Sequence, residues 1–148
     1  VSACARHRME PDDVVTFDLP RITVHARRVV LELIFGNLLD NAIKYAGDPP
    51  EVIVQASMHD EERVSVRIID NGEGVPAELR RKIFGMFYRS GSELERRQKG
   101  TGLGLYISRT LAQILRGSIS VHDRPDGPGS VFEVQLPGSH VVDEAASI

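Results

Sequence analysis

The order of apolar patterns along the chain predicts an α/β fold, with one long and one shorter helix set among short strands. Three observations carry this expectation: a helical pattern from about Ala26 to Ala46, a two-residue alternation from Val64 to Ile69, and β-prone runs on both sides of each helix. In chain order, Val14 to Phe17 and Ile22 to Val24 read as short strands separated by Pro20. The long helix follows and is stopped by Gly47, Pro49 and Pro50. Val52 to Ser57 and Val64 to Ile69 read as a hairpin, with Val64, Val66 and Ile68 alternating against Arg63, Ser65 and Arg67, and His59 to Glu62 as its turn. Pro76 opens a short helix, and Ser90 to Gly100 is polar in composition. Leu103 to Leu115 is helical, with Leu103, Ile107, Leu111 and Ile114 on one apolar stripe. Ser118 to His122 and Ser130 to Leu136 close the chain as strands around a turn rich in Pro and Gly, and a loose tail is expected from Gly138.

Size and composition bound the function. The 148 residues make one ordinary domain, able to bury about two-thirds of its unfolded surface. A hydrophobic share of 41% with 26% charged residues is that of a soluble globular chain. No apolar run approaches the roughly 18 residues of a membrane span, because the longest, Val29 to Leu39, contains Glu32 and Asn37. No direct membrane insertion is expected. The single cysteine, Cys4, cannot form an internal disulfide and fits a reducing, cytoplasmic setting. The net charge of -3 gives no reason to expect nucleic acid as a partner, and the clusters Arg80-Arg81-Lys82 and Arg96-Arg97-Lys99 read as solvated faces. A start at Val1 and a patternless stretch to Asp13 suggest a piece of something longer.

Three constellations carry chemistry. On the long helix Asn37, Asn41 and Lys44 fall at i, i+4 and i+7, hence on one face, beside an apolar arc of Leu31, Ile34, Leu38 and Ala42. The stripe reads either as a solvated face or as a site where an amide oxygen of Asn41 ligates a hard cation and Lys44 meets phosphate. The second, Asp70-Asn71-Gly72-Glu73-Gly74, follows a strand directly. It is either a turn or a place where Asp70 accepts from an exocyclic amine while glycines admit a flat ligand. The third, Gly100-Thr101-Gly102-Leu103-Gly104-Leu105, leads into a helix and can offer backbone N–H groups to phosphate. Its spacing is G-x-G-x-G after a charged stretch, so a dinucleotide fingerprint is excluded, and no Walker loop is present.

Together and in this order these segments resemble the GHKL superfamily of ATPases and kinases, and most closely the catalytic domain of sensor histidine kinases. Asn37 to Tyr45 is similar to that family's N box, Asp70 to Gly74 to its first glycine box, Phe84-Gly85-Met86-Phe87-Tyr88-Arg89 to its F box, and Gly100 to Leu105 to its second glycine box. The resemblance covers roughly residues 14 to 137. It implies a two-layer α/β sandwich of the Bergerat type, with a mixed, mostly antiparallel sheet covered by helices on one face. It implies ATP and Mg²⁺ as cofactors. Asn41 would hold the metal, Asn37 and Lys44 would face the phosphates, Tyr45 would lie against adenine and Asp70 would read its amino group. Arg89 would reach the terminal phosphate, with Asn37, Lys44 and Arg89 forming the catalytic set. Gly72, Gly74, Lys99, Gly100, Thr101, Gly102, Leu103, Gly104, Leu105 and Ser130 would line the nucleotide site, and Ser90 to Lys99 would form its lid.

The implied activity is phosphoryl transfer to a histidine on a dimerisation and phosphoacceptor domain, with a response regulator downstream. Hydrolytic members of the superfamily resemble one another in carrying a glutamate where this chain has Asn37, which favours transfer over hydrolysis. Of His7, His25, His59, His122 and His140, none sits in the family's acceptor context H-[ED]-x-[KR]-x-P, so the acceptor is expected on another domain. Residues 1–13 then read as a linker from a longer parent, 14–138 as the catalytic domain and 139–148 as a flexible tail. The parent could be anchored in a membrane. Two other readings of the same fold stand beside this one: an anti-sigma-type serine kinase and a non-catalytic nucleotide-binding scaffold.

Overall fold

A computed structural model describes residues 15–86 and 103–140. Its elements run β1 (Val15–Asp18), β2 (Ile22–Val24), α1 (Arg28–Tyr45), β3 (Val52–Met58), β4 (Arg63–Asp70), two 3-10 turns (Ala77–Leu79 and Lys82–Phe84), α2 (Gly104–Ile114), β5 (Ser118–Asp123) and β6 (Ser130–His140).

The alternation of Val64, Val66 and Ile68 sends every second side chain of β4 to one face, where all three are at most 8% exposed. Val52 and Val54 of β3, Ile119 and Val121 of β5, and Phe132, Val134 and Leu136 of β6 join the same core cluster. Ile34, Leu38 and Ala42 of α1 and Ala112 of α2 cover them. Full burial of each large aliphatic side chain contributes roughly 1.5–3 kcal/mol. The opposite face carries a polar row, Gln55 beside Arg67 beside Glu133 beside Ser120. One covered face and one polar face make the two-layer α/β sandwich.

β6 is the organising strand. It pairs antiparallel with β4 through Val131–Pro137, with β5 through Ser130–Gln135 and with β2 through Gly138–His140. β3 pairs antiparallel with β4, and β1 runs parallel to β3. The sheet is therefore mixed and mostly antiparallel, as expected. β6 extends past the expected end at Leu136, because Gly138 to His140 find backbone partners in β2.

The packing of α2 corrects one expectation. Ile107 and Ile114 of the anticipated apolar stripe are 38% and 70% exposed, while Ser108 and Ala112 are fully buried. Small residues win these positions because α2 lies close against α1: Ser108 Oγ donates to the Ile34 carbonyl at 3.5 Å. Phe84 is buried and meets Phe132 edge-on at 6.2 Å, and the Arg109 guanidinium lies 5.6 Å from the Phe84 ring centre. Phe84 is therefore part of the packed core.

Candidate functional site

The end of α1 meets the chain just after β4, and the middle of α1 meets the start of α2. On α1, the i, i+4, i+7 spacing keeps Asn37, Asn41 and Lys44 half-buried on one face beside the buried Ile34, Leu38 and Ala42. Asn37 Nδ2 donates to the Gly104 carbonyl at 3.3 Å, so the polar stripe of α1 touches the first residue of α2. Among the described residues no side chain caps the N-terminus of α2, whose N-cap residue is Leu103, and its first turn holds no acid, which leaves that end suited to an anion. Lys44 Nζ lies 5.1 Å from the centre of the Tyr45 ring, and Tyr45 is 41% exposed at the end of the helix.

At the end of β4, Asp70 is 3% exposed although it is a carboxylate. Such burial requires donors. Ser130 Oγ donates to Asp70 Oδ2 at 2.8 Å, and the Gly72 amide donates to Oδ1 at 2.8 Å, with the Ser130 amide at 3.4 Å. Oδ2, with one donor, keeps lone-pair capacity for another. Three glycines make the close approach possible. A Cβ at Gly72 would sit 2.1 Å from the Tyr45 carbonyl oxygen, and one at Gly129 only 1.9 Å from the Asp70 carbonyl oxygen. Gly74 and Gly129 also hold positive φ, 82° and 134°.

The surroundings are tied by charge. Arg124 reaches Glu51 at 3.3 Å and Asp126 at 2.9 Å, and Arg80 reaches Asp123 at 2.8 Å, bracing the β5–β6 turn against β3 and the 3-10 segment. The hydrogen bond from Arg124 holds the exposed Asp126 carboxyl below its usual range.

The structure thus forms two groups of these residues: Asn37 with Gly104, where α1 meets α2, and Tyr45, Asp70, Gly72, Gly74 and Ser130 around the end of β4. Asn41 and Lys44 share the α1 face of Asn37, and Leu103 and Leu105 flank Gly104. Arg89, Lys99, Gly100, Thr101 and Gly102, with the rest of Ser90 to Lys99, lie outside the described residues. Sequence reasoning misses Gly129 and the side-chain role of Asn71. The proline and glycine around Gly129 signal only a turn, and Asn71 reads as part of one. His25, His59, His122 and His140 are exposed residues of loops and strand ends. An apolar groove of about 310 Å³, lined by residues such as Phe17, Ile22, Phe35 and Leu39, shares no lining residue with this site. No helix among the described residues is long and apolar enough to cross a membrane.

A Bergerat-like sandwich with this polar seam defines a nucleotide-binding class, and comparison with known proteins narrows it. Residues 26–140 match the family described as histidine kinase-, DNA gyrase B-, and HSP90-like ATPase. The chain is 36% identical over 121 residues to the sensor histidine kinase TmoS of Ectopseudomonas mendocina, covering 78% of this chain and 12% of TmoS. It is 37% identical over 127 residues to the signal transduction histidine-protein kinase AfsQ2 of Streptomyces coelicolor, covering 84% of this chain and 23% of AfsQ2. Among solved structures, the mycobacterial sensor histidine kinase MprB superposes with a TM-score of 0.77 at 27% identity, covering 95% of this chain and 92% of that one. Full-length ShkA in complex with AMPPNP gives 0.74 at 25% identity, covering 96% of this chain and 30% of that one. This chain belongs to the histidine kinase-, DNA gyrase B- and HSP90-like ATPase family, as an ATP-binding catalytic domain of the sensor histidine kinase kind. It spans 12% and 23% of the length of these two curated relatives.

Proposed function

We propose that this domain binds Mg·ATP and transfers the γ-phosphoryl group to a histidine on a dimerisation and phosphoacceptor domain of its parent kinase, on the cytoplasmic side, for passage to a response regulator. The observation that carries the reading is the 3.3 Å contact between Asn37 and Gly104, which joins the polar stripe of α1 to the N-terminus of α2. Phosphates would lie along that junction, facing Asn37, Lys44 and the first amides of α2. The base would lie at the other end, its amino group on Asp70 and its ring by Tyr45. Arg89, Lys99 and the Gly100 to Gly102 segment complete the phosphate end in this reading.

The donors present suit Mg²⁺. Asn41 offers a hard amide oxygen, and the described residues contain no group of three or more His, Cys, Asp or Glu that could hold a metal by themselves. An ion bound at Asn41 would take most of its ligands from phosphate oxygens and water. When bound, it would neutralise charge on the phosphates.

Asn37 has no basic lone pair with which to deprotonate water, so at this position the chain would hold the triphosphate without activating a hydrolytic attack. The imidazole nitrogen of the acceptor attacks the γ-phosphorus in line. A nitrogen–phosphorus bond forms, the bond to the β–γ bridging oxygen breaks, and ADP leaves. Calorimetric titration with ATP tests the nucleotide half of this account. Saturable one-to-one binding that strengthens with Mg²⁺ is the expected result, and no heat of binding at millimolar ATP would overturn it.

A further inference from the structure

We propose that Asn71 is a positioning residue for the nucleotide: its amide clamps the loop between α1 and β3, and so fixes where Tyr45 stands relative to the Asp70 carboxylate. The inference rests on the adenine reading of Asp70 above. Asn71 Oδ1 accepts from the Gly47 amide at 2.9 Å and from the Glu51 amide at 3.0 Å, while Nδ2 donates to the Pro49 carbonyl at 2.9 Å. Three of the four hydrogen bonds open to a carboxamide are therefore spent on Gly47 to Glu51 of the loop between α1 and β3. Asparagine is the side chain of this length that supplies two acceptor sites and a donor together. Aspartate lacks the donor, and serine or threonine lack the reach.

The clamp connects directly to the base end of the site. Asp70 and Asn71 are neighbours at a strand end, where successive side chains take opposite sides. Asp70 turns to Ser130, and Asn71 turns to the loop that leaves α1 just after Tyr45. The two backbones are already in contact. A Cβ at Gly47 would meet the Asn71 carbonyl oxygen at 2.6 Å, and a Cβ at Gly72 would meet the Tyr45 carbonyl oxygen at 2.1 Å. Glu51, at the far end of the loop, is also held by Arg124. With the loop fastened at Gly47, Pro49 and Glu51, the end of α1 has one place relative to Asp70. Without Asn71 the Tyr45 carbonyl would still rest on Gly72, but the loop would be free to lift.

The test uses the whole chain and two probes, Mg·ATP and Mg·tripolyphosphate, which carries the phosphate charge without a base. Asn71→Ala should raise the ATP dissociation constant about tenfold, the scale of one to two lost hydrogen bonds. Tripolyphosphate binding should stay within about twofold, since the phosphate end is untouched. Asn71→Asp, which keeps both acceptor bonds, should fall between Asn71→Ala and the parent, and it keeps the test open if the alanine variant fails to fold. Hydrogen exchange without nucleotide reads the clamp by itself: the Gly47 and Glu51 amides should exchange faster in Asn71→Ala. Equal loss of ATP and tripolyphosphate would mean general damage and overturn the proposal. Faster exchange with unchanged ATP affinity would overturn it too, showing a clamp that serves only the fold. A parent chain that binds no ATP would instead bring down the site reading itself.

Discussion

Ser130 donates its hydroxyl to Asp70 at 2.8 Å, and both residues are nearly inaccessible, at 4% and 3% exposure. The contact spans β6 and β4 and orients a buried carboxylate at the end of β4, where the proposed function seats the base. Asp70→Asn keeps the shape but places an amide N–H₂ where an acceptor is needed. ATP affinity should fall by about 1–3 kcal/mol, the cost of a lost bond to a charged group. Ser130→Ala should lower stability by about 1–3 kcal/mol, because it leaves Oδ2 short of a donor. Calorimetry and thermal melting read the two effects separately, and an unchanged ATP affinity in Asp70→Asn would remove the adenine assignment.

Glycine substitutions should separate by position. Gly129→Ala places a methyl 1.9 Å from the Asp70 carbonyl oxygen at φ 134° and should destabilise the domain, by about 1–3 kcal/mol or more. Gly36 lies inside α1, where an added methyl would meet nothing within 4 Å. Gly36→Ala should therefore stabilise by about 0.4–1 kcal/mol, a rise of roughly 1–4 °C in Tm for a domain of this size. Differential scanning calorimetry checks both, and a lower Tm for Gly36→Ala would contradict the packing described.

The packed side of α2 makes a third test. Ser108→Leu would force a large side chain into the α1–α2 contact and should destabilise by about 1–3 kcal/mol. Ile114→Ser, at a residue 70% exposed, should change stability by less than about 0.5 kcal/mol. Chemical denaturation distinguishes them. The reverse order would restore Ile114 to the core.

That reversal also marks where the sequence stops being readable. The alternation of Val64, Val66 and Ile68 makes β4 legible, since a strand with one covered face must repeat every two residues. The α1 stripe of Asn37, Asn41 and Lys44 is legible for the same kind of reason, at the helical period. Nothing local shows that β1 pairs parallel with β3, or that β6 lies between β4 and β5, because those pairings join residues far apart in the chain. On α2 the apolar stripe misleads, as close helix packing selects small Ser108 and Ala112 over Ile107 and Ile114. Asn71 sits in a motif that reads as a turn, and its bonds to Gly47, Pro49 and Glu51 become visible only when the loop after α1 folds back onto it.

Asn41→Ala should remove the metal-dependent part of binding. The Mg²⁺-stimulated gain in ATP affinity should shrink towards the value measured in a chelator, while adenosine binding stays unchanged. Paired titrations of ATP and adenosine, with and without Mg²⁺, are the check. A full Mg²⁺ effect in the variant would move the metal to other ligands.

Transfer to a histidine on another domain is read by labelling with ATP radiolabelled at the γ-phosphate. The chain is incubated alone, then with a separately supplied dimerisation domain that carries an acceptor histidine. Alone, it should take up no stable label and release phosphate slowly, since no histidine here has the acceptor context and Asn37 cannot activate water. With the acceptor present, acid-labile phosphate should appear on that domain and rise with its concentration, because the covalent link that would raise effective concentration is missing. Stoichiometric acid-labile phosphate on the chain alone would contradict the account and make His7 the first residue to replace.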